Sequence, residues 1–314
     1  MIRGAPGAWD TAYHAPVLVD EITLLFKDAR TILDCTLGGG GHTAALLASG
    51  ARVTGIDRDE QAVRAARDRL AAEEATGQFR VILGNFSEAE KLLSNSTTKF
   101  DGILADLGVS SRQFDDASRG FSFREGAVLD MRMGSDALID AADVLNSSTE
   151  QELTRIFRDY GDEPRARRLA SEVVRRRSNR EFATSDDLVG AIRAVLGPRS
   201  GAPDFARLFQ AIRIAVNDEA GVLESALPIL RERLTAGGVF AVISYHSGED
   251  RVVKHAMRDW SSDCVCPPRL PGCTCRGRRL GSLVMRKALT ATADEIGRNP
   301  RARSARLRAW RSEG

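Results

Sequence analysis

The strongest chemical signal in the sequence is a run of four glycines at 38–41. Because glycine has no Cβ, such a run lets the backbone turn sharply and approach a ligand closely. The N–H groups that open the next helix can then hold an anionic group. Gly39-x-Gly41-x-x-Ala44 matches a dinucleotide-binding turn, and Asp57 stands where an acid accepts hydrogen bonds from a ribose diol. The pattern predicts a nucleotide-type site that does not separate NAD from S-adenosylmethionine, with a purely structural turn as the alternative.

Polar residues at the ends of two later strands, and along one helix, are candidates for an acceptor pocket. Asp106 closes the predicted fourth strand, where it either positions the reacting centre or serves the cofactor alone. Ser244 closes the fifth strand and His246 follows it, at the ligand-binding edge of a parallel sheet. A structural, hydrogen-bonded histidine is the alternative for His246. A further set lies at i, i+3 and i+7 on one helix face, for substrate binding or for packing between domains: Gln210, Arg213 and Asn217.

Four of the five cysteines form two Cys-x-Cys pairs in one short segment: Cys264, Cys266, Cys273 and Cys275. Four thiols this close can hold zinc, with free thiols and redox pairing as the alternatives. Because Cys-x-Cys pairs are less typical of zinc sites than Cys-x-x-Cys, we expect free thiols before zinc here. The fifth cysteine, Cys35, lies in a predicted strand and is expected to belong to the core.

Strands that alternate with helices must position these residues. Apolar runs predict seven strands: 31–35, 51–57, 79–83, 100–105, 239–244, 282–288 and 304–311. The last two are separated by a loop, which suggests an antiparallel pair at a sheet edge. Alternation of strands and helices over the first third of the chain predicts an α/β fold with a doubly wound, parallel sheet.

The alternation stops after Gly108. About 130 residues then pass without a convincing strand, which is far longer than an ordinary crossover. Helical patterns fill this gap. We therefore infer a helical domain inserted at 114–204, with residues 1–113 and 205–314 forming the first domain.

Charge is spread unevenly along the chain. The net charge is only +2, yet the segment from Arg276 to Gly314 has eleven Lys/Arg against three Asp/Glu, a net charge of +8. A second basic cluster shares one predicted helix: Arg165, Arg167, Arg168, Arg175, Arg176, Arg177 and Arg180. Such asymmetry indicates a polyanionic partner such as a nucleic acid. The alternative is a solvated helix face and a charged tail.

The sequence does not indicate a membrane partner. No apolar run approaches the ~20 residues that span a bilayer, and the stretch from Met1 to Asp10 lacks the pattern of a secretory signal. We therefore expect a cytoplasmic protein, in which cysteines normally stay reduced. The sequence leaves the oligomeric state open.

Three features favour S-adenosylmethionine: the polar Asp106-Leu-Gly after the fourth strand, the seven-strand count and the basic clusters. Specific motifs extend from about residue 13 to 310, and they include His14-x-Pro-Val-Leu, Gly39-Gly-Gly-His42, Ile56-Asp-Arg-Asp59, Asp106-Leu-Gly-Val-Ser-Ser111, Ser244-Tyr-His-Ser247 and Asn299-Pro-Arg-Ala-Arg-Ser304. Together they closely resemble the ribosomal RNA small subunit methyltransferase H family, the 16S rRNA cytosine-N4 methyltransferases.

The resemblance implies a class I (Rossmann-like) S-adenosylmethionine-dependent methyltransferase fold. Its sheet would be seven-stranded and mostly parallel, with an inserted all-helical domain that recognises the substrate. The donor would be S-adenosylmethionine, and the acceptor the exocyclic N4 amine of a cytidine in the decoding centre of 16S rRNA, in the small ribosomal subunit. No metal is required. The family's cofactor positions fall on these residues: Gly40, Gly41, His42, Asp57, Phe86, Asp106 and Gln113.

The motif after the fourth strand bears on which residues are catalytic. Many amino-methyltransferases have Asp/Asn-Pro-Pro-Tyr/Phe after the fourth strand, whereas Asp106-Leu-Gly lacks both the prolines and the aromatic residue. We therefore take Asp106 as the first catalytic candidate and His246 as the second. Two alternative functions are a nicotinamide-dependent oxidoreductase, which only the glycine pattern supports, and a catalytically silent RNA-binding factor for ribosome assembly.

Overall fold

The chain folds into two compact units. The computed structural model describes Trp9 and residues 16–93, 98–267 and 273–314. The first unit combines the chain up to Gly108 with Ala220–Gly314, and the second is Val109–Glu219. His14 of the first motif lies outside the described residues, as does the middle of the cysteine segment at 268–272. No helix among the described residues has the length and apolar character needed to cross a bilayer.

The first unit is built on a sheet of seven described strands. The strands are β1 (Thr31–Asp34), β2 (Arg52–Asp57), β3 (Phe79–Leu83), β4 (Phe100–Asp106), β5 (Leu234–Ser244), β6 (Gly281–Leu283) and β7 (Arg306–Ser312). Their order is β3-β2-β1-β4-β5-β7-β6, with β1 to β5 parallel and β7 antiparallel to both neighbours. Because the order reverses between β1 and β4, the carboxyl ends of these two strands border the crevice where open α/β sheets bind ligands.

The central strands are buried on both faces. Ile32 and Leu104 pack into one hydrophobic layer, and Leu33 and Ile103 pack into the other. All four side chains are fully buried. Double-sided burial explains why these strands are continuous apolar runs in the sequence rather than alternating patterns.

Helices cover both faces of this sheet. The helices of the first unit are α1 (Val19–Leu25), α2 (Gly41–Ala48), α3 (Glu60–Arg69), α4 (Ala71–Ala75), α5 (Ala89–Leu92), α12 (Glu219–Arg231), α13 (Ser247–Trp260) and α14 (Ala293–Arg298), where α12 begins at the last residue of the second unit. Short 3₁₀ turns occupy Phe86–Glu88 and Pro300–Ser304. Apolar residues of α1, α2 and α3 pack on one face of the sheet, and those of α5, α12 and α13 pack on the other.

Two strand predictions differ from the structure. The predicted strand 239–244 begins earlier, at Leu234, because β5 continues through Gly237, whose φ of +79° accommodates a shift of register against β4. The predicted strand 282–288 is present only as β6. After Leu283 the chain leaves regular pairing with β7 and returns to it at a single bridge between Leu289 and Leu307.

The second unit is helical and has a core of its own. Its helices are α6 (Ser111–Asp115), α7 (Ala141–Ser147), α8 (Glu150–Arg155), α9 (Ala166–Arg177), α10 (Ser185–Leu196) and α11 (Ala202–Asn217), with a 3₁₀ turn at Ala117–Arg119 and a π-helical turn at Ile156–Tyr160. The unit is wider than the predicted insert, 114–204. The sequence assigned α11 to the first domain, but its apolar face, including Leu208 and Ile212, is buried in the helical core.

Candidate active site

The glycine turn joins β1 to α2 and requires glycine for two separate reasons. Gly38 and Gly40 have φ of +53° and +75°, a left-handed conformation that strains residues with a side chain. A Cβ on Gly41 would lie 3.0 Å from Cγ of Pro16, so any other residue at the start of α2 would require Pro16 to shift by a few tenths of an ångström. A Cβ on Gly38 would meet no described atom within 4 Å. The space beside Gly38 is therefore open for a ligand to approach the backbone.

Asp57, at the end of β2, is tied to this turn. Its Oδ2 accepts a hydrogen bond from the Gly38 N–H at 2.7 Å, and its Oδ1 accepts one from the Asp59 N–H at 2.9 Å. Burial raises the pKa of Asp57 from 3.8 to about 6, although these two N–H groups favour the charged form. Each carboxylate oxygen has a second lone pair. The side chain can therefore hold the turn and still accept hydrogen bonds from a ribose diol.

Asp34 is a buried acid at the end of β1 that sequence reasoning missed. Its Oδ2 accepts a hydrogen bond from the Thr43 hydroxyl at 2.7 Å, and its Oδ1 accepts one from the Thr36 N–H at 3.2 Å. Burial raises the pKa of this carboxyl. The sequence does contain a signal for Asp34. This acid ends a mostly apolar strand, two residues before Thr36 and four before the glycine run. Asp34 links the strand, the turn and the first turn of α2.

Asp106 lies at the end of β4, the strand next to β1. Its N–H donates to Oγ1 of Thr36 at 2.6 Å, and the Tyr245 hydroxyl donates to its Oδ1 at 2.9 Å. Burial, followed by the negative charge of Asp106, raises the pKa of Tyr245 well above its usual value. Tyr245 therefore stays a protonated donor at neutral pH. The sequence placed Tyr245 in a motif, but only the fold shows its contact with Asp106, 139 positions away.

His42 is buried beside Asp106. Its Nε2 lies 2.8 Å from the carbonyl oxygen of Val17, and its Nδ1 lies 3.7 Å from Oδ2 of Asp106. A carbonyl oxygen only accepts, so we assign the proton to Nε2. The ring is thereby fixed between Val17, just before α1, and the end of β4. There its Nδ1 faces the Asp106 carboxylate.

The ends of β1, β2 and β4 thus bring three carboxyl groups to one glycine turn. Asp34, Asp57 and Asp106 lie around it, and the imidazole of His42 lies beside Asp106. A pocket of this composition has a negative potential. Such a potential attracts a cationic ligand group and repels a diphosphate.

The residues after β5 have different partners. His246 begins α13, where its Nδ1 accepts a hydrogen bond from the Glu249 N–H at 3.4 Å. Its Nε2 lies 3.2 Å from Oε1 of Glu249 without hydrogen-bond alignment. Ser244 is 2% exposed, and its hydroxyl donates to the Arg306 carbonyl at 3.4 Å. The structure therefore gives Ser244 a contact inside the sheet, and its contact with substrate stays a prediction.

Phe86 and Gln113, two predicted cofactor residues, lie in different units. Phe86 follows β3 and Asn85, and its ring is half-buried against one core layer of the sheet. Gln113 is buried near the start of α6, where its Oε1 accepts a hydrogen bond from the Ser110 N–H at 3.0 Å. The Ser110 hydroxyl in turn accepts one from the Gln113 N–H at 3.2 Å. Gln113 is thus held in a capping box that fixes the entry into the helical unit.

The predicted helix face lies on α11 in the second unit, where Gln210 is half-buried. Arg213 makes a bidentate ion pair with Glu219, at 2.8 and 2.9 Å, and both side chains are largely buried. Asn217 bonds to the main chain of residues 131–133, accepting from the Met133 N–H and donating to the Met131 carbonyl, both at 2.8 Å.

Asn217 has a further bond that completes this arrangement. Its amide also donates to the Arg213 carbonyl at 2.9 Å, so its oxygen and both of its amide protons are used. The bonds hold Met131 at a φ of +62°, unusual for a residue with a side chain. The structure thus gives Asn217 a positioning role, and its contact with substrate stays a prediction.

The four clustered cysteines are not part of this site. They lie in the segment between α13 and β6, with sulfur atoms within 4.8 Å of one another. Cys35 is buried in the core, as expected.

Comparison with protein families decides the classification. The model of the MraW methylase family matches residues 11–313, almost the whole chain. The chain belongs to the MraW methylase family. Membership confirms the predicted family resemblance, the class I methyltransferase fold and S-adenosylmethionine as the cofactor.

Relatives in this family are similar over their full length. Ribosomal RNA small subunit methyltransferase H of Gemmatimonas aurantiaca is 64% identical over 311 residues, covering 99% of each chain. The protein of the same name from Anaeromyxobacter sp. (strain Fw109-5) is 45% identical over 303 residues, covering 94% of this chain and 96% of its own.

Some solved structures with low sequence identity are also similar to the chain, though weakly. An rRNA methylase from Streptococcus thermophilus has a TM-score of 0.41 at 11% identity, with 94% of each chain covered. The N-methyltransferase NodS from Bradyrhizobium japonicum, solved with S-adenosylhomocysteine, has a TM-score of 0.40 at 10% identity, covering 94% of this chain and 86% of its own.

Proposed function

We propose that the protein transfers a methyl group from S-adenosylmethionine to the exocyclic N4 amine of a cytidine in the decoding centre of 16S rRNA. The observation that carries the proposal is the cluster of Asp106, Tyr245 and His42 at the end of β4, in a chain of the MraW methylase family. The name of the Gemmatimonas relative, at 64% identity, supports rRNA of the small ribosomal subunit as the substrate.

The charge of the site supports this donor over NAD. S-adenosylmethionine carries a positive sulfonium and a positive amino group, whereas NAD brings an anionic diphosphate to its glycine turn. The turn here is bordered by Asp34, Asp57 and Asp106. Because like charges repel over the short distances within a site, the three acids disfavour the diphosphate and favour the cation. The nicotinamide-dependent alternative is not supported by this arrangement.

We assign seven residues to the cofactor: Gly40, Gly41, His42, Asp57, Phe86, Asp106 and Gln113. The open space beside Gly38 suits the amino-acid end of the cofactor, and Asp57 retains lone pairs for both ribose hydroxyls. Phe86 offers a flat apolar face for the adenine. When bound, the cofactor supplies an electrophilic methyl group.

The acceptor amine is a poor nucleophile, because its lone pair is delocalised into the cytosine ring. A carboxylate that accepts a hydrogen bond from an amine proton favours the pyramidal form and aligns the nitrogen for attack. Asp106 is suited to this task, since the Tyr245 hydroxyl and the Thr36 side chain fix its position. As the nitrogen–carbon bond forms and the carbon–sulfur bond breaks, one amine proton must leave. Asp106 stands where it can accept that proton.

The cytidine has to leave its stacked position in folded RNA before it can reach Asp106. We assign recognition of the surrounding RNA to the helical unit and to the basic C-terminal segment. On α9, Arg175 and Arg176 share an ion pair with the single carboxylate of Glu172, and beyond the helix Arg180 is paired with Asp187. Arg167 and Arg168 are exposed and have no ion-pair or hydrogen-bond partner among the described residues. They are therefore the best placed of this cluster to bind phosphate.

The proposal is tested on 16S rRNA from cells that lack the protein. Purified protein, isotope-labelled S-adenosylmethionine and small ribosomal subunits from those cells should yield one labelled N4-methylcytidine per 16S rRNA, detected by nucleoside mass spectrometry. Subunits from cells that retain the protein are the control and should accept little label. A label on another base or on another position of cytosine would contradict the N4 assignment. The absence of any label, with both free rRNA and assembled subunits, would favour an assembly factor.

A further inference from the structure

The segment between α13 and β6 holds four cysteine sulfurs in one tight cluster. The Sγ atoms of Cys264, Cys266, Cys273 and Cys275 all lie within 4.8 Å of one another. Individual separations are 3.8 Å between Cys264 and Cys273, 3.9 Å between Cys266 and Cys273, and 3.4 Å between Cys273 and Cys275. Residues 268–272, between the two pairs, are outside the described residues.

These separations match the geometry of metal ligands rather than that of disulfides. In a tetrahedral site with Zn–S bonds of about 2.3 Å, neighbouring sulfurs are about 3.8 Å apart. A disulfide requires about 2.05 Å. All five cysteines are free thiols in the structure. Two pairs brought together from separate Cys-x-Cys motifs form a closed set of four soft ligands.

Backbone N–H groups are aimed at two of the sulfurs. The Val265 N–H, inside the first pair, donates to Sγ of Cys275 at 3.4 Å, and the Thr274 N–H, inside the second pair, donates to Sγ of Cys266 at 3.4 Å. Hydrogen bonds of this kind stabilise the thiolate. Thiolate is the form that binds metal, so the backbone prepares two of the four ligands.

Arginine residues follow the cysteine cluster directly in the sequence. Four thiolates and one divalent cation have a net charge of −2, and Arg276, Arg278 and Arg279 follow directly after the last cysteine. The Arg276 guanidinium donates to the carbonyls of Asp259 and Ser262 at the end of α13, the latter at 2.9 Å. The segment after the cluster is thus attached to the helix before it.

We propose that Cys264, Cys266, Cys273 and Cys275 bind one zinc ion in a tetrahedral, structural site. The four sulfurs fill the coordination sphere and leave no position for substrate, as in other structural zinc sites. On binding, Zn²⁺ displaces the remaining thiol protons. The ion joins the two ends of the segment between α13 and β6. This site is independent of the methyl-transfer function.

The test is the metal content of the full-length protein. Protein purified under reducing conditions, without metal-affinity resin or chelator, should contain about one zinc per chain by mass spectrometry of the elements. Cys266→Ser and Cys275→Ser should each lower the zinc content severalfold. Cys35→Ala is the matched control and should retain zinc, because Cys35 is buried in the sheet core. Replacement by Co²⁺ should give the intense visible and near-ultraviolet bands of tetrahedral cobalt thiolate.

Three results would overturn the zinc site. One is a zinc content below about 0.1 per chain, both as purified and after the reduced protein is incubated with equimolar zinc and desalted. Another is a mass four units below the reduced value in protein prepared without an oxidant, which would identify two disulfides. The third is full zinc retention in both serine variants. If those variants are insoluble, the wild-type protein decides: a thiol-reactive mercurial should release one zinc per chain, and release of none would refute the site.

Discussion

The side chain of Asp106 is held in position by its neighbours at the end of β4. The Tyr245 hydroxyl binds one of its oxygens at 2.9 Å, and His42 faces the other at 3.7 Å. A carboxylate has about four lone-pair sites. In the proposed reaction, one of these sites accepts a proton of the acceptor amine. The role of Asp106 in the chemistry and its role in cofactor binding predict different outcomes on substitution.

We predict that Asp106→Asn lowers the single-turnover rate of methyl transfer by about 10²-fold, because an amide is a weak acceptor for the amine proton. Isothermal titration should show a much smaller change in affinity for S-adenosylhomocysteine. Normal cofactor binding together with a full single-turnover rate would exclude Asp106 from the reaction. Equal losses in rate and affinity would restrict it to the cofactor.

Tyr245→Phe removes one hydroxyl and leaves the ring that packs beside Gly108. Since a hydrogen bond to a charged group contributes about 1.5–3 kcal/mol, we predict a decrease of about 10-fold in the single-turnover rate. Tyr160→Phe, the same substitution in the helical core, is the control and should leave the rate unchanged. A Tyr245→Phe enzyme with the rate of the control would show that Asp106 needs no support from Tyr245.

The pKa of about 6 for Asp57 predicts a pH dependence of cofactor binding. Below pH 6 the carboxyl becomes protonated and loses acceptor capacity for the ribose diol. Affinity for S-adenosylhomocysteine should therefore be constant from pH 7 to 8 and fall as the pH decreases from 6 to 5. Asp57→Asn should bind more weakly at pH 8 and show a smaller decrease on acidification. A wild-type affinity that is flat from pH 5 to 8 would contradict a role for the Asp57 carboxylate.

The same pKa has an effect of opposite sign on folding. The folded state binds the Asp57 proton more tightly than the unfolded state, whose pKa is near 3.8. Between about pH 4 and pH 6 the folded state therefore carries more protons, so this group makes the free energy of unfolding fall as pH rises. Acidification through this range thus weakens cofactor binding while Asp57 itself stabilises the fold.

At the scale of elements, one face of α11 has residues with two kinds of partner, the main chain and a charged side chain. Asn217 is committed to the main chain around Met131, whereas Arg213 makes one ion pair with Glu219. Removing Arg213 would leave a largely buried carboxylate without its partner, which costs about 3–5 kcal/mol in buried pairs. A loss of activity in Arg213→Ala alone would therefore not separate RNA binding from stability.

A double substitution separates them. We predict that Arg213→Ala lowers both the melting temperature and RNA methylation, with little change in cofactor affinity. In Arg213→Met/Glu219→Gln both charges are removed, so the melting temperature should recover towards that of the wild type while methylation stays low. Recovery of both would assign Arg213 to structure alone. Equal losses of cofactor affinity and methylation would also contradict a role in RNA binding.

The elements of the sheet were predictable because each has a local signature. β1 to β4 are apolar runs bounded by polar turns, and the glycine run marks the entry into α2. The site was only partly predictable. Asp106 and His42 were identified, but the partnership with Tyr245 depends on the pairing of β4 with β5, which brings distant parts of the chain together. Asn217 and Ser244 have polar side chains at suggestive positions, and only their hydrogen-bond partners show that they are structural.

At the scale of the whole molecule, ion pairs offset part of the positive charge of the two basic segments. Much of the basic cluster on α9 is neutralised locally, and in the C-terminal segment Asp250 pairs with Arg306 and Arg308. Counting charges along the sequence could not show this, because Asp250 lies 58 positions before Arg308. The charge available to RNA is therefore smaller than the sequence suggested and confined to fewer side chains.

We predict that Arg167→Gln/Arg168→Gln weakens binding to 16S rRNA and makes it less sensitive to salt. Each lost phosphate contact should reduce the slope of log affinity against log salt by about 0.7, so two contacts reduce it by about 1.4. Arg175→Gln is the control, since the Arg175 side chain is held in an ion pair with Glu172. Filter binding between 50 and 300 mM salt measures both slopes. Identical slopes for the double variant and the wild type would remove α9 from the RNA interface.

The position of the helical unit in the chain has a consequence for synthesis on the ribosome. β4 pairs with β1 on one side and with β5 on the other, and residues 107–233 separate β4 from β5. At ~5–20 residues per second, the translating ribosome needs roughly 6–25 seconds to deliver β5 after β4. During that interval β1 to β4 form half a sheet whose central strand has an unpaired edge. The helical unit, with its own core, emerges complete before the sheet around the cofactor site can close.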